Sequence, residues 1–325
     1  MENEITFESR IQLQELQSSV KAVKAELAKV IVGQKNVANL LLTALFAQGH
    51  VLLEGVPGVA KTISAKLLAQ TMEVDFKRVQ FTPDLMPSDV LGTSIFNLKT
   101  SEFEFKKGPI FSNIVLADEI NRAPAKTQAA LFEVMEERQV SMDGNVYSLE
   151  APYMIVATQN PIEQEGTYRL PEAQLDRFLF KINVEYPNLD EEIEIISKEH
   201  QYAGEKMAQV LSSLTREQIV KYQALISQVI VEEHLIQYIA QIVLNTRSNP
   251  FLYMGASPRA SIAILNASKA YAAINGRDFV TPDDIKYIAL PVLKHRVIVS
   301  PEREMEGLSA DQIIGEIIQV TEIPK

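Results

Sequence analysis

The chain has no cysteine among its 325 residues. That removes disulfides, thiolate catalysis and zinc–thiolate sites together. Histidine is scarce. His50, His200, His234 and His295 are widely scattered, none has ligand spacing, and each reads as a surface or packed residue. Long apolar runs are also missing. The longest, Leu40 to Ala47, carries Thr43 and falls well short of the roughly 20 residues that span a bilayer. The start, Met1-Glu2-Asn3-Glu4, is acidic and polar, unlike a secretory signal. A cytoplasmic protein without membrane insertion is expected. Basic excess is absent too: 31 Lys and Arg face 42 Asp and Glu, a formal net charge of -11. That balance disfavours phosphate backbones as general partners, so nucleic acid is not expected as one. What is present is an ordinary globular composition, 46% hydrophobic and 22% charged, enough for a sizeable core and two domains. Neither an internal repeat nor a low-complexity tail is visible.

The segment Gly55-Val56-Pro57-Gly58-Val59-Ala60-Lys61-Thr62 follows the apolar run His50 to Glu54 and precedes the helical pattern Ile63 to Ala69. Strand, glycine-containing loop and helix in that order make a phosphate cradle. Loop N–H groups can wrap a phosphate, and the helix N-terminus adds a favourable dipole. Lys61 can reach outer phosphates, and the Thr62 hydroxyl can ligate magnesium. The segment departs from the strict nucleoside-triphosphate loop at its sixth position, where Ala60 replaces glycine. A left-handed alanine costs roughly 1–2 kcal/mol. Helical dihedrals are therefore expected at Ala60, with the left-handed turn at Gly55 or Gly58.

Four further segments fall at strand or helix ends. Asn113-Ile114-Val115-Leu116-Ala117-Asp118-Glu119 is an apolar strand closed by two acids. Asp118 is placed to orient a magnesium shell and Glu119 to polarise an attacking water. Taken alone, the pair could equally cap a helix after a buried strand. Ala157-Thr158-Gln159-Asn160-Pro161 sets a polar amide at another strand end, where Asn160 can hold water or touch a γ-phosphate; Asn-Pro is also a common turn. Leu170 to Phe178 reads as a short helix leading into a last strand. Gly255-Ala256-Ser257-Pro258-Arg259 reads as an N-cap, an N1 proline and a first-turn arginine on a helix reaching about Asn275.

Around these segments, Phe7 to Val30 looks helical, with Leu16, Val20, Val23 and Leu27 on one face. Val32-Gly33-Gln34 breaks it, and Val37 to Phe46 resumes as a more buried helix. The candidate strands are Val51–Glu54, Arg78–Phe81, Asn113–Asp118, Tyr153–Thr158 and Phe178–Val184. Apolar strands alternating with helices indicate a parallel sheet covered on both faces, with ligands at its carboxyl edge. Arg138 to Tyr147 is a hairpin around Asp143-Gly144. Beyond about Asp190 no further parallel strand is evident, and helix signals dominate. Thr215 with Gln218 and Ser309 with Gln312 form capping boxes, Thr281 caps a helix beginning at Pro282, and Asn275-Gly276 stops one.

Together the segments GVPGVAKT, LADEINRAP, ATQNP, QEGTYRLPEAQLDRF and GASPRA, between Gly55 and Ala260, resemble the AAA+ ATPases, and within them the MoxR family. The resemblance covers nearly the whole chain. It implies an α/β fold: a five-stranded parallel AAA+ core with helices on both faces, followed by an α-helical lid. It implies ATP and magnesium as cofactors. Gly55 to Thr62 with Ile63 would hold nucleotide, Gly33 and Gln34 would approach the adenine, and Thr62 with Asp118, the latter through water, would serve the metal. Glu119 would be the catalytic base, Asn160 sensor 1, Arg177 the arginine finger from a neighbouring subunit, and Arg259 sensor 2. Arg169 competes with Arg177 for the finger role. In a single subunit Arg177 is then expected to lie exposed.

The implied domains are an N-terminal helix over 1–30 packed on the core, a core over 31–187 and a lid over 188–325. A helix-2 insert at about 82–108 and the hairpin at about 138–150 resemble those of the clade that also holds magnesium chelatase and replicative helicases. Both either contact partners or merely decorate the fold. Met86, Phe96, Phe103 and Met142 are the apolar groups they offer. The implied assembly is a homo-oligomer, commonly a hexameric ring. The implied activity is ATP hydrolysis coupled to remodelling or maturation of a protein client, sometimes with a partner carrying a von Willebrand factor A domain. A chelatase-type motor subunit and a nucleotide-gated scaffold with little turnover are the alternatives.

Overall fold

The computed structural model describes residues 13–99, 101–161, 168, 170–202 and 210–324. These fall into two compact units. One spans Val23–Val220; the other joins the described residues up to Ala22 to those from Lys221 onward. The divisions lie inside two helices and so differ from the domain ends expected after Val30 and Pro187.

The sheet unit begins in α1 (Gln14–Val30), whose residues Leu16, Val20, Val23 and Leu27 are all buried, as their spacing requires. Residues before Leu13 in the expected helix lie outside the described set. The chain breaks at Gly33 (φ +76), where a Cβ would press into the Glu191 carboxylate at 2.3 Å. Helix α2 (Lys35–Phe46) is buried from Leu40 to Phe46. Then follow β1 (Val51–Glu54), α3 (Lys61–Gln70), β2 (Met72–Glu73), β3 (Phe76–Gln80), α4 (Pro87–Leu91), β4 (Gly92–Asn97), β5 (Glu102–Lys107), β6 (Ile114–Asp118) and α5 (Ala125–Glu137). The unit continues through β7 (Gln139–Met142), β8 (Asn145–Ser148), β9 (Met154–Gln159), α6 (Glu172–Leu175), β10 (Phe180–Asn183), α7 (Leu189–Tyr202), β11 (Leu214–Thr215) and the start of α8 (Arg216–Ile226).

The main sheet is wholly parallel, in the order β10-β1-β9-β6-β3. Its central strands are apolar without alternation. Val51 to Leu53, Ile114 to Ala117 and Met154 to Ala157 are all fully buried, which demands cover on both faces. Each such Val, Ile or Leu contributes roughly 1.5–3 kcal/mol by leaving water. Because β1 lies between β10 and β9, strands depart to either side of it. Their carboxyl ends therefore frame a crevice, the usual ligand position in such sheets.

Two hairpins stand apart from this sheet. Strands β4 and β5 pair antiparallel from Gly92↔Lys107 to Asn97↔Glu102. Strands β7 and β8 are joined through Asp143 and Gly144, both at positive φ, as a tight hairpin requires. Ser94 donates to the Asp143 carboxylate, and the Phe105 and Tyr147 rings lie 4.5 Å apart, so the hairpins support one another. Leu98 and Phe103 are 86% and 73% exposed, and Met86 and Phe96 are exposed too. Met142 is half-buried and Phe105 packs inward.

The helical unit holds α9 (Glu233–Ser248), β12 (Leu252–Met254), α10 (Pro258–Ile274), α11 (Pro282–Leu293), β13 (Ile298–Val299), α12 (Pro301–Met305) and α13 (Ala310–Val320). Ala260, Ala267 and Ala270 are buried on α10, small enough to admit its neighbours α9 and α11. The expected caps are present. Asp284 accepts from the Thr281 N–H at 2.8 Å and from Arg277, and Ser309 accepts from the Gln312 N–H at 3.3 Å. One expectation fails. Leu214-Thr215 does form a parallel ladder after Asp190, with Met72-Glu73 in the sheet unit. Two residues carry too little periodicity to be read from sequence. Among the described residues no helix is long and apolar enough to cross a membrane.

Candidate functional site

Strand β1 delivers the chain at Glu54 into the loop 55–60, and α3 starts at Lys61. Two loop residues are left-handed: Gly58, as expected, and Ala60 (φ 62, ψ 20), where helical dihedrals were expected. The reason for the correction lies in α3. Ala60 is its N-cap, and the Ala60 carbonyl accepts both the Ser64 N–H and the Ser64 hydroxyl, each at 2.9 Å. Those bonds offset the roughly 1–2 kcal/mol of left-handed strain. Lys61, Thr62 and Ile63, the first turn of α3, line the cleft, and the N–H groups of a helix's first turn point out of its end. Lys61 Nζ folds back onto the carbonyls of Gly55 and Val56.

The loop forms one wall of a cleft of about 300 Å³. Pro57 to Ile63, Arg78, Gln80, Asp118, Glu119, Thr158, Gln159 and Asn160 line it. Asp118 is almost wholly buried, and the Thr62 hydroxyl lies 3.2 Å from both its oxygens. Its Oδ1 accepts from the Thr158 hydroxyl at 2.5 Å, and its Oδ2 accepts from Arg78 Nε and Nη2 at 2.9 and 2.7 Å. Glu119 is itself left-handed (φ 57, ψ 49), and its N–H donates to Thr158 Oγ1 at 2.9 Å. Its Oε2 accepts from Gln80 Nε2 at 2.7 Å and faces Arg122 Nε at 3.3 Å. The donor set around Thr62 and Asp118 is hard oxygen, the chemistry magnesium takes. Among the described residues no cluster of three or more His, Asp or Glu could hold a metal unaided.

The expected residues thus divide. Gly55 and Val56 excepted from the cleft lining, the loop, Asp118, Glu119 and buried Asn160 come together. Gly33 and Gln34 lie elsewhere. Gln34 donates to the Glu185 carbonyl at 3.3 Å and lines a separate, largely apolar hollow of about 320 Å³ between α1 and α2. Arg177 is half-buried, not exposed as expected. Its Nη1 donates to the Phe132 carbonyl, and its Nε lies 3.7 Å from the Glu136 carboxylate, both on α5. Arg259 is exposed on the first turn of α10, in the helical unit. Arg169 lies outside the described residues, as does the stretch 162–167.

Sequence reasoning assigned no role to Arg78, Gln80 or Thr158. Gln80 is the register partner of Asp118, and Arg78 shares its strand face. Thr158 lies one step beyond the Ala117–Ala157 pair. Polar side chains at the carboxyl end of otherwise apolar strands were the available signal.

This arrangement has close relatives. Residues 50–180 match the "ATPase family associated with various cellular activities (AAA)", and residues 244–317 match the AAA lid domain. The Chaperone MoxR1 of Mycobacterium tuberculosis is 42% identical over 309 residues, covering 92% of this chain and 81% of that protein. The chain belongs to the MoxR family of AAA+ ATPases. A second relative is the uncharacterized protein YeaC of Bacillus subtilis. It is 48% identical over 305 residues, 94% of each chain. A Cytophaga hutchinsonii protein regarded as an ATPase, solved as a crystal structure, superposes with a TM-score of 0.88 at 44% identity. It covers 96% of this chain and 97% of its own. The MoxR likeness therefore extends to both the AAA core and the lid.

Proposed function

We propose that this protein binds ATP with magnesium in the cleft and hydrolyses it to ADP and phosphate, using the cycle to remodel or mature a protein partner. The observation that carries the reading is the convergence of Thr62, Asp118, Glu119 and Asn160 on one cleft opposite the amides of α3. The α3 amides and Lys61 would hold the phosphates, with Lys61 exchanging the Gly55 and Val56 carbonyls for phosphate oxygens. Thr62 and Asp118 would hold magnesium, which, when bound, neutralises charge on the phosphates. Glu119 would accept the proton of the attacking water, and Asn160 would hold that water in line. Arg177 would act on the neighbouring subunit's site in a ring, commonly of six, and Arg259 would contribute from the lid.

The client reading draws on the hairpins. Phe96, Leu98 and Phe103 on the first hairpin, and Met86 just before α4, expose apolar side chains of the kind that grip protein. A partner with a von Willebrand factor A domain is the first to try. The MoxR1 relative, described as a chaperone, fits this reading.

The test is steady-state phosphate release, with and without the partner, on the parent and on Lys61→Ala. The variant should lose tight binding of a fluorescent ATP analogue, since the loop's only cation is gone. Equal binding by parent and variant would show that the loop is not the phosphate site. Shortening the Gly144 hairpin should impair client remodelling while sparing basal hydrolysis.

A further inference from the structure

The Asp118 carboxylate has one cationic partner in the structure and would gain a second under the nucleotide-site reading. Asp118 Oδ2 accepts two hydrogen bonds from Arg78, at 2.9 and 2.7 Å. The same carboxylate, beside Thr62, is the oxygen ligand that the nucleotide-site reading gives to the magnesium shell. The other oxygen, Oδ1, is held by the Thr158 hydroxyl at 2.5 Å. A guanidinium held on Oδ2 and a divalent cation served by the same carboxylate through water repel each other, so each weakens the other's hold on Asp118. Arg78 is well placed to yield. Its side chain is 53% exposed, against 7% for Asp118, and a half-exposed ion pair is weak. A third hydrogen bond, from Nη2 to Gln80 Oε1 at 2.7 Å, holds it along the strand face beside the cleft.

We propose that Arg78 is a positioning residue that competes with magnesium for Asp118. While paired with Arg78, Asp118 is neutralised by a cation belonging to the chain. When metal is bound with nucleotide, Arg78 would release Asp118 and turn toward solvent or toward the phosphates. Two consequences follow, of opposite sign. Arg78 supports nucleotide binding without metal, because it supplies positive charge to the cleft. It opposes the gain that magnesium brings, because its hold on Asp118 weakens the metal's.

The inference rests on the nucleotide-site reading and has a test separate from turnover. The affinity of full-length protein for a fluorescent, slowly hydrolysed ATP analogue is measured in EDTA and in saturating MgCl2. The ratio of the two dissociation constants is the readout. In Arg78→Met that ratio should rise roughly threefold to fivefold over the parent, the range an exposed ion pair supports. Arg78→Lys, which keeps the charge, should return it toward the parent value. Arg78→Gln, which keeps a donor toward Gln80 but no charge, should behave like Arg78→Met and serves if the methionine variant does not fold. A ratio unchanged or lowered in both uncharged variants overturns the competition, as does a lysine variant that behaves like them. A parent that binds no analogue under either condition sinks the nucleotide reading itself, and this inference with it.

Discussion

The two ends of the main sheet treat polar groups in opposite ways. At the carboxyl edge, Asp118 and Glu119 have several partners, some of them charged and half-exposed: Arg78, Arg122, Gln80 and Thr62. At the amino edge, just before β1, His50 is fully enclosed. Its Nδ1 accepts the Ile155 N–H at 3.0 Å, and its Nε2 bonds the Met135 carbonyl at 3.1 Å, an arrangement that fits one neutral tautomer. Tyr153 stands edge-on to the imidazole at 5.8 Å, its hydroxyl buried without a hydrogen-bond partner. Burial pushes the His50 pKa down to about 4, and it raises that of Tyr153. One end keeps charges whose partners can be exchanged. The other has neutral groups fixed by backbone bonds. The first can respond to a ligand; the second holds the strand ends in place.

The largest effect should come from Arg177, which lies outside its own cleft and which the proposed function gives to a neighbouring subunit's site. Removing a guanidinium that neutralises γ-phosphate charge costs roughly 10³–10⁵ in rate. Arg177→Ala should therefore be nearly inactive in phosphate release. Mixing it with Lys61→Ala should restore part of the activity, since some interfaces then pair an intact loop with an intact arginine. The hydrogen bond to Phe132 supplies the competing outcome. If Arg177 only anchors α5, the variant melts earlier and mixing restores nothing despite co-assembly.

Glu119→Gln probes the exchangeable end directly. It keeps the side-chain shape but removes the base, so hydrolysis should fall by about 10²–10⁴ while binding of ATP with magnesium persists. Near-parent turnover would place the base elsewhere and leave Glu119 as a cap on the turn that follows β6.

The fixed end answers to pH instead. Between about pH 4 and 6.5 the unfolded chain binds a proton at His50 that the folded chain refuses. Its contribution is thus complete above the ordinary value of 6.5 and is lost as pH falls toward 4. The loss is about 2 kcal/mol by pH 5. Urea unfolding of the parent and of His50→Gln at pH 7.5 and pH 5 isolates it, because the carboxylates and the other histidines are common to both. An equal pH loss in the two proteins would remove His50 from the account.

How much of this was legible beforehand follows the range of the interactions. Each main strand lay within two residues of its apolar run, since burial on both faces writes a continuous pattern into the chain. Asp143-Gly144 and the Thr281 and Ser309 caps were equally plain, because their partners lie within a few residues. Arg78, Gln80 and Thr158 were not assigned, because their roles depend on which strand lies beside β6. That neighbour is chosen by tertiary packing. Arg177 was misjudged for the same reason. Its burial depends on Phe132 of α5, 45 residues earlier in the chain.

Ala60 tests the smallest difference between the two ends. Left-handed residues other than glycine occur at both: Ala60 and Glu119 by the cleft, Gln48 and Arg138 near His50. Arg138 at the far end donates to the Gln48 carbonyl, so those two conformations are tied together. Ala60 has no such side-chain tie, and only the Ser64 bonds to its carbonyl hold it. Ala60→Gly relieves roughly 1–2 kcal/mol of strain but returns about 0.4–1 kcal/mol as added freedom of the unfolded chain. The net should be a stabilisation of about 1 kcal/mol or less, read as a small rise in melting temperature. Nucleotide affinity should hold, because the loop path is unchanged. Ala60→Val, whose branched Cβ fits this region poorly, should lower both stability and affinity. If glycine instead destabilises the protein, the alanine is not strained there. The offset assigned to Ser64 would then be unnecessary.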